Sequence, residues 1–545
     1  MLYPPSPAVV DKFLSFVNQS PTPFHAVSNA VKRLESAGFI RLKEREDWSS
    51  QVKKTGKYYV TRNQSSIIAF AVGGAYQPGN GLAIVGCHTD SPCFKIRPVS
   101  KKTKLGYLQV ETELYGGGIW PTWFDRDLGI AGRVIVKDSK SQSISPAYTS
   151  HLVHVPLPIL RIPTIAIHLE RSQGDTLKIN LEDQAVPILS MANDILNKPV
   201  GSTPSSDAKT ALSIQDKHHP LLLSILSRSL SSHHGTQISE NDIHDLELSL
   251  FDINPSTVGG GMGEFIFSPR LDNLFSSFAA IEALAQSVEG DNQNNLEQNP
   301  LIRTIALWDN EEIGSVSHQG AQSNFLEAIL TRVSSAFAKE PSPALTEQTL
   351  AASFLLSCDM GHAVHPCYPE KHQQSHRPII NQGPVIKTNA NQRYASNAPT
   401  TFLLRRVATL ANVPLQEFEV RNDMACGSTI GPLVSKIGLR TVDIGCPQLS
   451  MHSIREQAGC HDMVYLTKLF ETFFEKFQEV DSSFSTVNHL SLSSPSFIRS
   501  NSQARGSIYP VSLLARLFIT LTNNMSASLL ATYVPTLADE YVIDI

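Results

Sequence analysis

Leu82-Ala83-Ile84-Val85-Gly86 runs directly into Cys87-His88-Thr89-Asp90, and the reading of this stretch decides the fold class. A short run of β-prone, mostly apolar residues reads as a strand buried on both faces. The pattern recurs three times. Ile302 to Leu307 leads into Trp308-Asp309-Asn310-Glu311-Glu312, and Phe354-Leu355-Leu356 leads into Ser357-Cys358-Asp359. Leu439 to Ile444 leads, through a short loop, to His452. In an open α/β sheet, ligands gather at the carboxyl ends of the strands. An α/β core of this kind brings four distant pieces of chain, each ending in His, Asp or Glu, around one crevice.

Working outward, Val9 to Phe16 and Ala26 to Ala37 have helical spacing, the second after the punctuation Ser20-Pro21-Thr22-Pro23. Tyr58 to Val60 and Ile67 to Ala71 read as strands. Residues 93–257 separate the first two strand-to-acid runs and are rich in β patterns: Leu108 to Leu114, Gly132 to Lys137 and Ile165 to Leu169. The loops here are polar, notably Asp138 to Ser145 and Ser202 to His219. The expected organisation is one domain in two parts, 1–92 and 258–481, with a second, β-rich domain inserted at 93–257. Residues 482–545 form an irregular tail: 485–509 are expected to be disordered, and Val511 to Leu521 to form a short helix.

Composition excludes several roles. The chain has 545 residues, 41% hydrophobic and 17% charged, with a net charge of −5. No Lys/Arg run suits a nucleic acid. No apolar run of about 20 residues suits a membrane span, and the N-terminus lacks a secretory pattern. The seven cysteines are scattered and odd in number, without a CxxC pair, which argues against a disulfide framework. A reducing, aqueous compartment fits; the cytoplasm is expected, with a vacuolar destination open.

Two metal ions held side by side need a bridging carboxylate, a few terminal His, Asp or Glu ligands, and open positions for water and substrate. The candidates are His88, Asp272, Glu312, Asp359 and His452. Taken singly, each has an ordinary reading. Asp272, in Leu271-Asp272-Asn273-Leu274, suits the dipole of a helix start. His88 could be a core or surface histidine, although Asp90 two residues on could orient a metal-bound imidazole. Glu311-Glu312 could be a solvated acidic turn, yet adjacent carboxylates after a buried strand repel unless a cation or proton compensates. The segment Asp359-Met360-Gly361-His362-Ala363-Val364-His365-Pro366 could ligate metal, bind substrate or line a turn. Gly116-Gly117-Gly118 and Gly259-Gly260-Gly261 lack a following Gly-Lys-Ser/Thr and read as turns or close backbone packing. Trp120, Trp123, Phe124 and Cys87 read as packing residues.

Several strings resemble the aspartyl aminopeptidase family: His88-Thr89-Asp90-Ser91-Pro92, Gly116-Gly117-Gly118-Ile119-Trp120 and Trp123-Phe124-Asp125-Arg126-Asp127-Leu128. Ser268-Pro269-Arg270-Leu271-Asp272-Asn273-Leu274, Asp309-Asn310-Glu311-Glu312-Ile313-Gly314-Ser315 and His362-Ala363-Val364-His365-Pro366 continue it. So do Asn389-Ala390-Asn391-Gln392-Arg393-Tyr394-Ala395 and Gln448-Leu449-Ser450-Met451-His452-Ser453, in family order from near Phe13 to about Asp481. His318, in a Ser-x-Gln-Gly-Ala context, Cys446 and the stretch Glu456 to Asp462 depart from the pattern. The tail beyond Asp481 has no counterpart.

The resemblance implies a mostly parallel α/β zinc-peptidase core with an inserted β-rich dimerisation domain, and dodecamers built from dimers. It implies two divalent metal ions, zinc above all. His88, Asp272 and Asp359 would hold one; Asp272, Glu312 and His452 would hold the other. Glu311 would be the general base, and Asp90 would orient His88. The implied substrates are peptides with acidic N-termini, Asp or Glu. Lys387, in Val385-Ile386-Lys387-Thr388-Asn389, would face the side-chain carboxylate, with Tyr394 and His362 nearby. His168 would reach the active site of a dimer partner, leaving a monomer nearly inactive. A non-catalytic scaffold of this fold would lack a ligand or the base, whereas this sequence has all of them. A neutral aminopeptidase or a metal-dependent deacylase would not need Lys387.

Overall fold

The computed structural model describes residues 5–138, 147–174, 176–192, 213–290, 292–340 and 342–484. The tail expectations at 485–509 and 511–521 lie outside the described residues, as do most of the two polar loops, at 139–145 and 202–212.

The strand Leu82–His88 is buried at all seven positions. Its alternate side chains enter two different cores. Ala83, Val85 and Cys87 pack with residues of the helices Leu271–Gln286 and Cys460–Ser482, including Phe275, Phe470 and Phe473. Leu82 and Ile84 pack on the opposite face with Phe325, Ile329 and Val333 of the helix Phe325–Ala336. Coverage on both faces explains why the run has no polar alternation. Leu82–His88 pairs in parallel with Ile302–Trp308 on one side and Phe354–Cys358 on the other. Arg440–Gly445 follows, parallel to Phe354–Cys358. Among the described residues, these four are the centre of a nine-stranded, mixed but mostly parallel sheet.

A second, six-stranded sheet draws all its strands from between Cys93 and Asp252. Among the described residues its strand pairings are antiparallel. The helix Pro220–His234 lays Leu222, Leu223, Leu226 and Leu230 into its core. Trp120 and Trp123 pack edge-on against Phe94, as read from the sequence. A three-stranded sheet joins Thr257–Gly259, Phe265–Ser268 and Glu456–Gly459.

The strand expected at Ile165 to Leu169 is not formed. Residues 167–169 make a turn closed by the Leu169 N–H on the Ala166 carbonyl at 2.9 Å. A strand needs a neighbour for its N–H and C=O groups, and this segment has none among the described residues. Its apolar side chains are exposed instead: Ile165 47%, Ile167 49% and Leu169 78%.

Candidate metal centre

The register of the central strands sets the site. Leu307 is level with Cys87, and Trp308 with His88, so the two strands end together. Ser357 is level with Gly86, which brings Asp359 beside His88. His88 Nε2 lies 3.2 Å from Asp272 Oδ1 and 3.3 Å from Asp359 Oδ1. His452 Nε2 lies 3.3 Å from Asp272 Oδ2 and 3.3 Å from Glu312 Oε1. Asp272 thus turns one oxygen to each imidazole. All five ligand-type residues expected from the sequence meet at one point.

Local backbone explains how. Asp272 is not in a regular first helical turn: its φ/ψ are −82° and 106°, and the Asp272–Asn273 peptide is cis. Its carboxylate faces the histidines rather than capping the helix. Glu311 and Glu312 lie on a single 3-10 turn, Glu311–Ile313, between left-handed Asn310 and Gly314. The Glu312 side chain is only 5% exposed, so this is no solvated acidic turn. His452 has a positive φ of 65° at the tip of a hairpin whose arms meet at Leu449 and Gln457.

The outer nitrogen of each imidazole is tied to a carbonyl. His88 Nδ1 is 3.1 Å from the Asp90 carbonyl and 3.4 Å from Asp90 Oδ1. His452 Nδ1 is 2.8 Å from the Gly117 carbonyl. With the hydrogen on Nδ1, each ring keeps its Nε2 lone pair for a metal. The Gly116-Gly117-Gly118 string thereby gains a use beyond packing. A Cβ on Gly118 would stand 2.7 Å from the Trp120 ring, so the chain passes there only as glycine.

Asp90 is chiefly a backbone acceptor. Its Oδ1 and Oδ2 take the N–H groups of Glu311 and Glu312, each at 3.1 Å, and Oδ2 also takes the Tyr115 hydroxyl at 2.7 Å. Tyr115 accepts in turn from Asn310 Nδ2 at 2.9 Å. Sequence reading did not single out Tyr115 or Asn310. Asn310 stands inside the Asp309 to Ser315 string but was given no role there, and Tyr115 lies just before the glycine string; only the fold brings them to Asp90.

Charge and satisfaction both favour a cation here. Asp90, Asp272, Glu311, Glu312 and Asp359 crowd around two imidazoles and Lys387. Burial raises Glu311 to about 8, against the pull of His88 and with the push of Asp359 and Glu312. Burial likewise raises Glu312 to about 7. Burial pushes His452 down, but Asp272 and Glu312 overcome it and raise it to about 11. Asp272 Oδ1 and Glu312 Oε1 are buried without a hydrogen-bond partner. Single ligand atoms of His88, Asp272 and Glu312 all lie within 4.8 Å of one another. Orphaned carboxylate oxygens converging with imidazole nitrogens fit a bound divalent ion.

Asp272, Glu312, Asp359 and His452 line a cleft of about 630 Å³ shared with Glu311, His362, Lys387, Arg393, Tyr394 and Phe418, with His88 buried behind it. Lys387 is 3% exposed. Its Nζ donates to the Met360 carbonyl at 2.7 Å, stands 3.7 Å from Asp359 Oδ2 and lies 5.6 Å from the centre of the Tyr394 ring. Desolvation and the nearby Lys387 lower His362 below its ordinary value. His168, by contrast, sits on the exposed turn at 167–169.

Residues 16–474 match the family described as aminopeptidase I zinc metalloprotease (M18). The chain belongs to that family. As an M18 member it is a metal-dependent aminopeptidase, a hydrolase. Among its relatives, the aspartyl aminopeptidase of Aspergillus oryzae is 48% identical, with 85% of this chain and 95% of that protein covered. Among solved structures, a chain of the Ape4 and Nbr1 complex superposes with a TM-score of 0.82 at 44% identity, covering 88% of this chain and 87% of that one. The mApe1 dodecamer of Saccharomyces cerevisiae gives 0.74 at 31% identity, covering 88% and 98%. The M18 match and these neighbours bear out the α/β zinc-peptidase fold. No helix among the described residues is long and apolar enough to cross a membrane.

Proposed function

We propose that this M18 chain removes N-terminal Asp and Glu residues from peptides, using two divalent ions, zinc above all. The observation that carries the acidic preference is Lys387. It is a buried ammonium on the wall of the same cleft that holds the ligand cluster, with one donor spent on Met360. A buried cation without a full set of partners disfavours neutral side chains and rewards a carboxylate. Tyr394 and His362 complete that wall. The relatives' names as aspartyl aminopeptidases support the same reading.

His88, Asp272 and Asp359 would hold one ion, and Asp272, Glu312 and His452 the other. Bound there, the ions would supply Lewis-acid polarisation of the scissile carbonyl and lower the pKa of a water. Glu311 would serve as the base that accepts a water proton and the acid that returns it to the leaving amine, and its upward shift suits both halves of the task. Asp90 holds the Glu311 and Glu312 backbones in place. The carboxylates of the cleft accept the free α-amine of the substrate, which restricts cleavage to the N-terminus.

Residues 93–257 are read as the inserted dimerisation domain. The exposed Ile165, Ile167 and Leu169 around His168 suit cover by a second protomer, whose active site His168 would enter. Dodecamers built from such dimers follow the assembly named for the yeast neighbour. The seven unpaired cysteines support a cytoplasmic setting.

An assay panel tests the chemistry: Asp-, Glu-, Leu- and Lys-initiated chromogenic substrates, with and without chelator, and with Glu311→Gln. Chelator should abolish cleavage, and Glu311→Gln should lower kcat by about 10²–10⁴-fold. Full activity of either would sink the mechanism. Preference for Leu over Asp would remove only the specificity.

A further inference from the structure

Glu456 is 3% exposed and lies behind the ligand cluster, outside the cleft lining. It opens the strand Glu456–Gly459, across from Ser268, four residues before Asp272. One carboxylate oxygen accepts the backbone N–H of His452 at 2.9 Å and the Gln448 side-chain amide at 3.3 Å. The other accepts the backbone N–H of Asp272 at 3.2 Å. Both backbones are irregular at these points: His452 is left-handed, and Asp272 has a non-helical φ/ψ. Neither N–H is satisfied by regular secondary structure, so a side chain must do it.

We propose that Glu456 is a positioning residue for the metal centre. Its two oxygens clamp the main chains of the bridging ligand Asp272 and the terminal ligand His452 at a fixed separation. Ligand atoms converge only if their backbones do, and here the strand pairing between the two segments ends at Ser268 and Glu456, short of Asp272 and His452. A carboxylate suits the task because both of its oxygens accept, and charge-assisted bonds to N–H groups are the stronger kind. Glutamine offers one acceptor only, and its NH₂ would oppose the second N–H. Because Asp272 serves both ions in the reading above, loosening it weakens both sites. The inference rests on that reading.

The test uses the full-length assembled enzyme with Glu456→Gln and Glu456→Ala. Zinc content is measured by elemental analysis after equilibration against graded chelator, alongside oligomer size and thermal midpoint. The near-isosteric Gln variant keeps the test decisive where Ala fails to fold. Zinc retention should weaken by about 10–100-fold in Glu456→Gln at unchanged oligomer size, with activity restored by excess zinc. A lowered thermal midpoint with wild-type zinc retention would overturn the proposal, because Glu456 would then only close the hairpin. Asp272→Asn separates the two readings. Loss of zinc there with none in Glu456→Gln refutes the clamp alone; wild-type zinc in Asp272→Asn refutes the metal centre itself.

Discussion

Replacing Lys387 by methionine keeps the length of the buried stem and removes the charge. The ammonium is 3% exposed, and of its three donors one is committed to Met360. Two remain for a substrate carboxylate. A hydrogen bond to a charged group contributes about 1.5–3 kcal/mol, and removing one partner of a buried charge pair costs about 3–5 kcal/mol. At about 1.4 kcal/mol per decade, a loss near 3 kcal/mol lowers kcat/KM for an Asp-initiated substrate by roughly 10²-fold. The Leu-initiated substrate has no carboxylate to lose, and its desolvation against a bare ammonium disappears, so its kcat/KM should hold or rise. The Asp-to-Leu ratio should therefore fall by at least about 10²-fold. The same ammonium stands 3.7 Å from the metal-ligand candidate Asp359, and a disturbed metal site would lower both substrates alike. Zinc content measured on the variant separates the two effects. Equal losses for Asp and Leu with an unchanged ratio would refute the specificity role.

Tyr115→Phe removes the hydroxyl that joins Asp90 to Asn310 and leaves an Asp90 oxygen short of a donor. Activity should fall by about 10-fold or more, with zinc content changed less than in the Glu456 variants; wild-type kcat/KM would show that Asp90 is held well enough by the two backbone groups. His218 is buried against Ser100, and burial, with the charge of Lys217, lowers it to about 4 from an unfolded value near 6.5. Below the unfolded value the unfolded chain takes up a proton that the folded chain refuses, so folding loses stability as pH falls from 6.5 toward 4. His218→Gln, which keeps a donor for Ser100, should abolish roughly 2–3 kcal/mol of the wild-type loss between pH 7.5 and 4.5, read from denaturant midpoints. Identical pH slopes for the two proteins would contradict a neutral buried His218.

The four strand-to-acid runs are legible in the sequence because strands covered on both faces are mostly apolar, with Arg303, Thr304 and Asp443 as buried exceptions. The polar residues that end each run therefore mark the crevice, and His88, Glu311, Glu312 and Asp359 stand out as candidates by that position. Lys387 was different: by residue type it is an ordinary surface lysine, and only the resemblance singled it out. Ile165 to Leu169 was misread as a strand because its apolar residues alternate as a half-buried strand's would. Nothing among the described residues offers that segment a hydrogen-bonding edge.

What the sequence alone determined was the class of fold and the family, and it named the candidate ligands, since these depend on local pattern and on residue types at motif spacing. What only the tertiary structure decided was who holds those ligands in place. Gly117 sets the His452 ring through a carbonyl, Asp90 gathers two backbone N–H groups more closely than it approaches His88, and Glu456 joins two backbones. Contacts of this kind use main-chain atoms, which every residue carries alike. Their pairing is written in the path of the chain and leaves no residue-type signal to read.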